Sequence, residues 1–142
     1  MLNLQEKQVH LAICDEMTIE DTTRTVEMVK AQHQACGQPL FYVALVPESA
    51  AIPEQSVRTA MTVALRHIQE YCEFTAVIFT GDGVRAGMKR TVFAGVLMMM
   101  MRGKWHVAKS VDELMRKSEG NARRLAELQA VARLAAESGF PV

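Results

Sequence analysis

Two kinds of hydrophobic spacing alternate along the chain, and the alternation predicts its elements. Val9, Leu11 and Ile13 recur every second residue between Gln8 and Cys14, the period of a strand. Leu2–Leu4 is a shorter run of the same kind, and Gln5–Lys7 offers a turn, so the chain opens as a hairpin. Leu40–Val46 and Phe74–Thr80 are almost continuously apolar, as strands covered on both faces are. Trp105–Ala108 is a short last strand.

Between these runs the spacing lengthens to the helical period. Thr18 is placed to cap a helix with Glu20 and Asp21 in its first turn and a stripe of Ile19, Val26, Val29, His33 and Cys36; Gly37 stops it. Pro53 opens a second helix, on which Val57, Ala60, Met61, Ala64, Ile68 and Tyr71 share a face opposite Arg58, Thr62, Arg66 and Gln69. It is expected to end near Glu73. Gly81-Asp82-Gly83 turns the chain into a helix from Val84 to Met101, closed by Gly103. Ser110 and Glu113 form a capping box for Val111–Lys117. A final helix, Ala122–Ser138, carries Leu125, Leu128, Val131 and Ala135 on one side.

Helices alternating with buried strands require a largely parallel sheet, because parallel neighbours need long crossovers. The predicted fold is therefore α/β, a mixed, mostly parallel sheet of four or five strands with helices packed on it. A chain of 142 residues supports one core. Residues 1–117 form the α/β domain, and 118–142 a C-terminal helical extension of it, placed to pack on the domain or to reach a second copy.

Several stretches together resemble the bacterial STAS-like family, named for sulfate transporters and anti-sigma-factor antagonists. They are Asp15-Glu16-Met17-Thr18-Ile19-Glu20-Asp21 after the second strand, the loop from Pro47 to Pro53, the glycine turn into a basic-then-apolar helix, and Ser110-Val111-Asp112-Glu113-Leu114 after the closing strand. The resemblance covers Gln8 to Lys117. It implies a small mixed sheet used for partner binding, nucleotide sensing or apolar-ligand binding. The family's antagonists begin the helix after the central strand with Asp-Ser-Ser-Gly, whose serine is phosphorylated. The matching stretch here is Pro53-Glu54-Gln55-Ser56, which implies that Glu54 or Gln55 replaces that serine.

Charge narrows the function. Sixteen basic and sixteen acidic side chains cancel, so no global field draws the protein to nucleic acid. The first residues lack the basic-then-apolar pattern of a secretion signal, and the longest apolar run, Val92 to Met101, is half of what a membrane span needs. Cys14, Cys36 and Cys72 are odd in number and widely spaced, which suits a reducing, cytoplasmic setting.

The best candidate ligand site is the turn Gly81, Asp82, Gly83 with Arg85 and Lys89 one helical turn apart, where backbone N–H groups and positive charge favour an anion. The glycine spacing misses the dinucleotide fingerprint and no P-loop motif is present, so no cofactor is called for. His10, His33, His67 and His106 lack metal-ligand spacing, and no nucleophile elbow or Cys-x-x-Cys pair occurs. From Val92 to Met101 the third helix has no polar face and must be covered, by the core, by the last helix, by an apolar ligand or by a second copy; Phe93, Leu97, Met98, Met100 and Met101 are expected to form an interface with that copy. The expected function is a non-enzymatic regulatory module of STAS-like type, a homodimer that binds a protein partner or a small anionic or apolar ligand. Two alternatives stand beside it: a carrier of an apolar ligand, and a small hydrolase or transferase using Asp15, Glu16 and the Gly81–Arg85 turn.

Overall fold

The computed structural model describes residues 1–91 and 104–140. Five strands form one sheet in chain order: β1 (Leu2–Glu6), β2 (Val9–Ile13), β3 (Leu40–Val46), β4 (Cys72–Phe79) and β5 (Trp105–Ala108). β1 runs antiparallel to β2, and every later pair is parallel. The fold is thus α/β with a mostly parallel, mixed sheet, as the spacing predicts.

The hairpin turn is Lys7-Gln8 rather than Gln5–Lys7, because Gln5 and Glu6 remain in register with His10 and Val9. Lys7 takes up a left-handed backbone, φ 51°, to close it. β4 starts at Cys72, two residues before the predicted Phe74, because α2 stops at Glu70 and Tyr71 caps it.

Sequential parallel strands joined by right-handed crossovers place successive crossover helices on one face. α1 (Ile19–Cys36) and α2 (Gln55–Glu70) pack against each other there. A third helix, α3, runs over 84–91 of the described chain. The predicted continuation to Met101 and Gly103, with Phe93, Leu97, Met98, Met100 and Met101, lies outside the described residues. α4 (Val111–Lys117) and α5 (Ala122–Glu137) cover the other face. Among the described residues no helix is long and apolar enough to cross a membrane.

Strand alternation divides the core in two. Val9, Leu11, Ile13, Val43 and Ile78 point to the α5 face, where Leu128, Val131 and Ala135 meet them in one buried cluster. Of the stripe predicted for the last helix, Leu128, Val131 and Ala135 pack on the domain itself, whereas Leu125 is only partly buried and lies outside both clusters. Ala12, Cys14, Tyr42, Ala44, Val77 and Trp105 point the other way, toward Val29 of α1 and Ile68 of α2.

α1 departs from its predicted stripe. Its buried residues are Thr22, Thr25 and Val29, while Ile19 is 47% exposed. Both threonine hydroxyls donate to carbonyls one turn back, Thr22 to Ile19 at 2.7 Å and Thr25 to Asp21 at 2.9 Å, so burying them leaves no donor unmet. The predicted start is otherwise intact: the Thr18 hydroxyl accepts from the Asp21 N–H, and the Asp21 carboxylate accepts from the Thr18 N–H. For α4 the Ser110 hydroxyl accepts from the Glu113 N–H, whereas the Glu113 carboxylate reaches the N–H of Lys109 instead of that of Ser110.

Candidate functional site

Parallel sheets present their loops at the carboxyl ends of the strands, which is where ligands of open α/β sheets bind. β2, β3 and β4 end side by side at Ile13, Val46 and Phe79, and the chain leaves them through 14–18, 47–54 and 80–83. The strand order has no reversal among its parallel members, so no crevice arises at a topological switch point. The space comes from the helices instead. Between α1 and α2 lies an open cleft of about 1710 Å³. Its floor is the sheet, with Tyr42, Ala44, Val77 and Phe79, and the first turns of α1 and the inner side of α2 supply walls.

That volume exceeds the roughly 300–1,000 Å³ of pockets that enclose a small molecule. The shape is a groove. Exposed apolar side chains sit around it: Ile19, Ile52, Val63 and Met88 line it and are 47%, 60%, 50% and 63% exposed.

The glycine turn stands at one edge of this groove and is occupied from within the chain. Gly81 has φ 109°, a left-handed conformation that a side chain would strain. A Cβ built there would also lie 2.6 Å from Cδ of Glu48, and one on Gly83 would lie 3.3 Å from Glu48 Oε1. The Glu48 carboxyl therefore rests against both glycines. Lys89 donates to the carbonyls of Glu48 (3.3 Å) and Ala50 (2.5 Å), and Arg90 to those of Phe79 (3.1 Å) and Gly81 (3.0 Å). These two cations tie the 47–54 loop to the end of β4.

Of the predicted ligand residues, Gly81, Asp82 and Gly83 form the turn, Lys89 is committed to loop carbonyls, and Arg85 alone reaches the groove exposed. Neither Glu48 nor the loop-bridging use of Lys89 and Arg90 was legible, since both depend on loops that meet only in the folded chain. Pro53-Glu54-Gln55-Ser56 opens α2 on the groove wall: Glu54 is the N-cap and makes no side-chain cap bond, and Ser56 is exposed.

The reactive groups nearby are quiet. Burial pushes the Cys14 thiol up to about 12, with Asp15 adding to the rise, so it is neutral at physiological pH. Asp15 is held below the usual carboxylate range, first by the Glu16 N–H at 2.8 Å. No ion pair or hydrogen bond joins Asp15 or Glu16 to the Gly81–Arg85 turn among the described residues. No three potential metal ligands cluster among the described residues.

Comparison with protein-family models, with curated proteins and with solved structures finds no significant match.

Proposed function

We propose that the protein is a non-catalytic, STAS-like regulatory module of the cytoplasm, working as a homodimer, that seats an apolar segment of a protein partner in the groove between α1 and α2. The observation that carries the reading is the groove itself: an apolar floor with exposed Ile52, Val63 and Met88 at its edge. Exposed apolar side chains gathered around one concavity are characteristic of interaction sites, whereas scattered ones are ordinary. Helix-in-groove recognition uses such a surface. The neutral, buried Cys14 supports binding over nucleophilic chemistry.

The second reading, a carrier of a free apolar ligand, is favoured by the same floor of Tyr42, Ala44 and Phe79. The dimer is proposed through Phe93, Leu97, Met98, Met100 and Met101, which the sequence leaves without a polar side. Native mass spectrometry of the full chain reports both properties at once. A dimer without small-molecule adduct, which captures apolar helical peptides and loses them in Val63→Asp, is the expected result. A monomer carrying a lipid-sized adduct would replace the partner reading with the carrier reading.

A further inference from the structure

The apolar floor of the groove between α1 and α2 contains a polar group that the fold leaves unmet. Tyr42 is 2% exposed, with its ring stacked on His10 at 5.4 Å between centroids and met edge-on by Trp105 at 5.9 Å. Its hydroxyl, at the far end of the ring, makes no hydrogen bond to the described residues. Nor is it sealed. Among the described residues Arg124 Nε is the one buried side-chain nitrogen or oxygen that lacks both a partner and accessible surface, so the Tyr42 oxygen keeps contact with the groove that its side chain lines. The polar groups around it are satisfied within the chain: Thr22 and Thr25 donate to carbonyls of α1, and the Cys14 thiol donates to the carbonyl of Ala12 at 3.7 Å.

A phenol in this position discriminates between the groups that cover it. While the groove is open, water serves the hydroxyl. An occupant seated on the floor displaces that water, and an O–H covered by hydrocarbon is left unpaired, which weakens binding on the order of tenfold or more. Burial holds the Tyr42 phenol well above the ordinary tyrosine range, so it stays a neutral donor and calls for an acceptor. A carboxylate would lose its hydration on an apolar floor, whereas an amide oxygen accepts at a much smaller cost. The rims favour a peptide as the bearer of that acceptor. Glu16 and Glu20 stand exposed at the start of α1, and α2 presents exposed Arg58 and Arg66 against the single acid of its N-cap, Glu54. No ion pair joins the two rims among the described residues. Rims of opposite sign suit a helix with both charges on its flanks better than a fatty acid, which carries one.

We propose that Tyr42 determines the specificity of the groove: the partner's apolar helix presents one neutral hydrogen-bond acceptor, the side-chain amide of an asparagine or glutamine, to the Tyr42 hydroxyl. The inference rests on the reading of the groove as the seat of an apolar segment, and it adds the one polar position within that segment.

The test compares the full chain with Tyr42→Phe by isothermal titration against synthetic helical peptides. The probes share a leucine face with lysines on one flank and glutamates on the other, and they differ in which single leucine is replaced by the near-isosteric asparagine. Because the hydroxyl has no partner in the fold, the urea midpoint of Tyr42→Phe is expected to equal or slightly exceed that of the wild type. For one position of the asparagine, Tyr42→Phe is expected to bind that peptide severalfold more weakly and the all-leucine peptide severalfold more tightly, so that the ratio of the two affinities changes at least tenfold between the proteins. Equal factors for every peptide would overturn the role of Tyr42 and leave the groove reading standing. Binding of no peptide to either protein would overturn the groove reading, and the acceptor with it. A lower urea midpoint or loss of folding in Tyr42→Phe would show that the hydroxyl is already paired in the fold, which also overturns the proposal.

Discussion

On the α5 face of the sheet, Leu11, Val43 and Ile78 meet Leu128, Val131 and Ala135, and none of the six is more than 1% exposed. On the α1/α2 face the same three strands present His10, Tyr42, Ala44 and Val77, and the helices part to leave the groove. The first face has only apolar side chains meeting at this contact, so its energy is burial and close packing. The second face carries hydrogen-bonded polar groups under α1 and open space beside α2. If the groove binds as proposed, stability and binding lie on opposite sides of one sheet, and perturbations of the two sides are expected to differ in kind.

The sharpest break comes from the α5 face. A chain ending at Lys117 strips the cover from Leu11, Val43 and Ile78, and is expected to show no cooperative thermal transition. Within the full chain, Leu128→Ala removes a fully buried side chain and is expected to cost about 2–5 kcal/mol in urea unfolding. A loss below about 1 kcal/mol would mean that α5 is not the cover of this face.

The α1 side is expected to respond to pH instead. His10 is fully buried, with Nδ1 3.0 Å from Gln32 Oε1 and Nε2 2.9 Å from Asn3 Oδ1. Gln32 is pinned because its amide donates to the carbonyls of Lys7 and Val9, and Gln5 Nε2 also lies 3.2 Å from Nδ1, so a neutral ring with its proton on Nε2 donates to Asn3 Oδ1 and accepts from Gln5. Burial lowers the His10 pKa from 6.5 to about 4, against a smaller rise from Gln32. The folded protein therefore binds this proton less tightly than the unfolded chain. The associated stability is complete above about pH 6.5 and is lost as pH falls through about 4, roughly 3 kcal/mol in all. Urea midpoints measured across that window are expected to fall, and His10→Gln to flatten the fall. The carboxyls held low, Asp15, Asp21 and Glu113, act at lower pH, because each is depressed below its ordinary value. An unchanged slope in His10→Gln would place the proton uptake elsewhere.

A local feature has a smaller expected effect. Thr18→Ala removes the hydroxyl that accepts from Asp21 and is expected to cost about 1 kcal/mol without changing the pH profile. That cap was legible because capping is written in neighbouring residues. So were Leu40–Val46, Trp105–Ala108 and Val111–Lys117, each marked by its own apolar run or cap. The buried Thr22 and Thr25 were not legible, because hydropathy counts a hydroxyl as polar without registering that its own helix satisfies it. The groove was not legible either. It arises from how two helices splay over the sheet, and Glu48 reaches Gly81 across 33 positions of chain, a separation that no local spacing encodes.

The smallest effect on stability is expected at the groove edge, where the effect on binding is largest. Val63 is 50% exposed on α2, and Met88 is 63% exposed on α3. Neither side chain is part of either buried cluster, so replacing each by serine is expected to change unfolding free energy by no more than about 0.5 kcal/mol. Their value to the free protein is small because water already reaches them. In a complex the same side chains would be desolvated, and each is then worth roughly 1.5 to 3 kcal/mol on full burial. Val63→Ser with Met88→Ser is therefore expected to weaken capture of an apolar helical peptide by at least tenfold, about 1.4 kcal/mol, while the urea midpoint stays at the wild-type value. Isothermal titration beside urea unfolding reads both quantities on one sample. A loss of stability matching the loss of binding would show that the two side chains support the fold and that the groove edge is not an interaction surface.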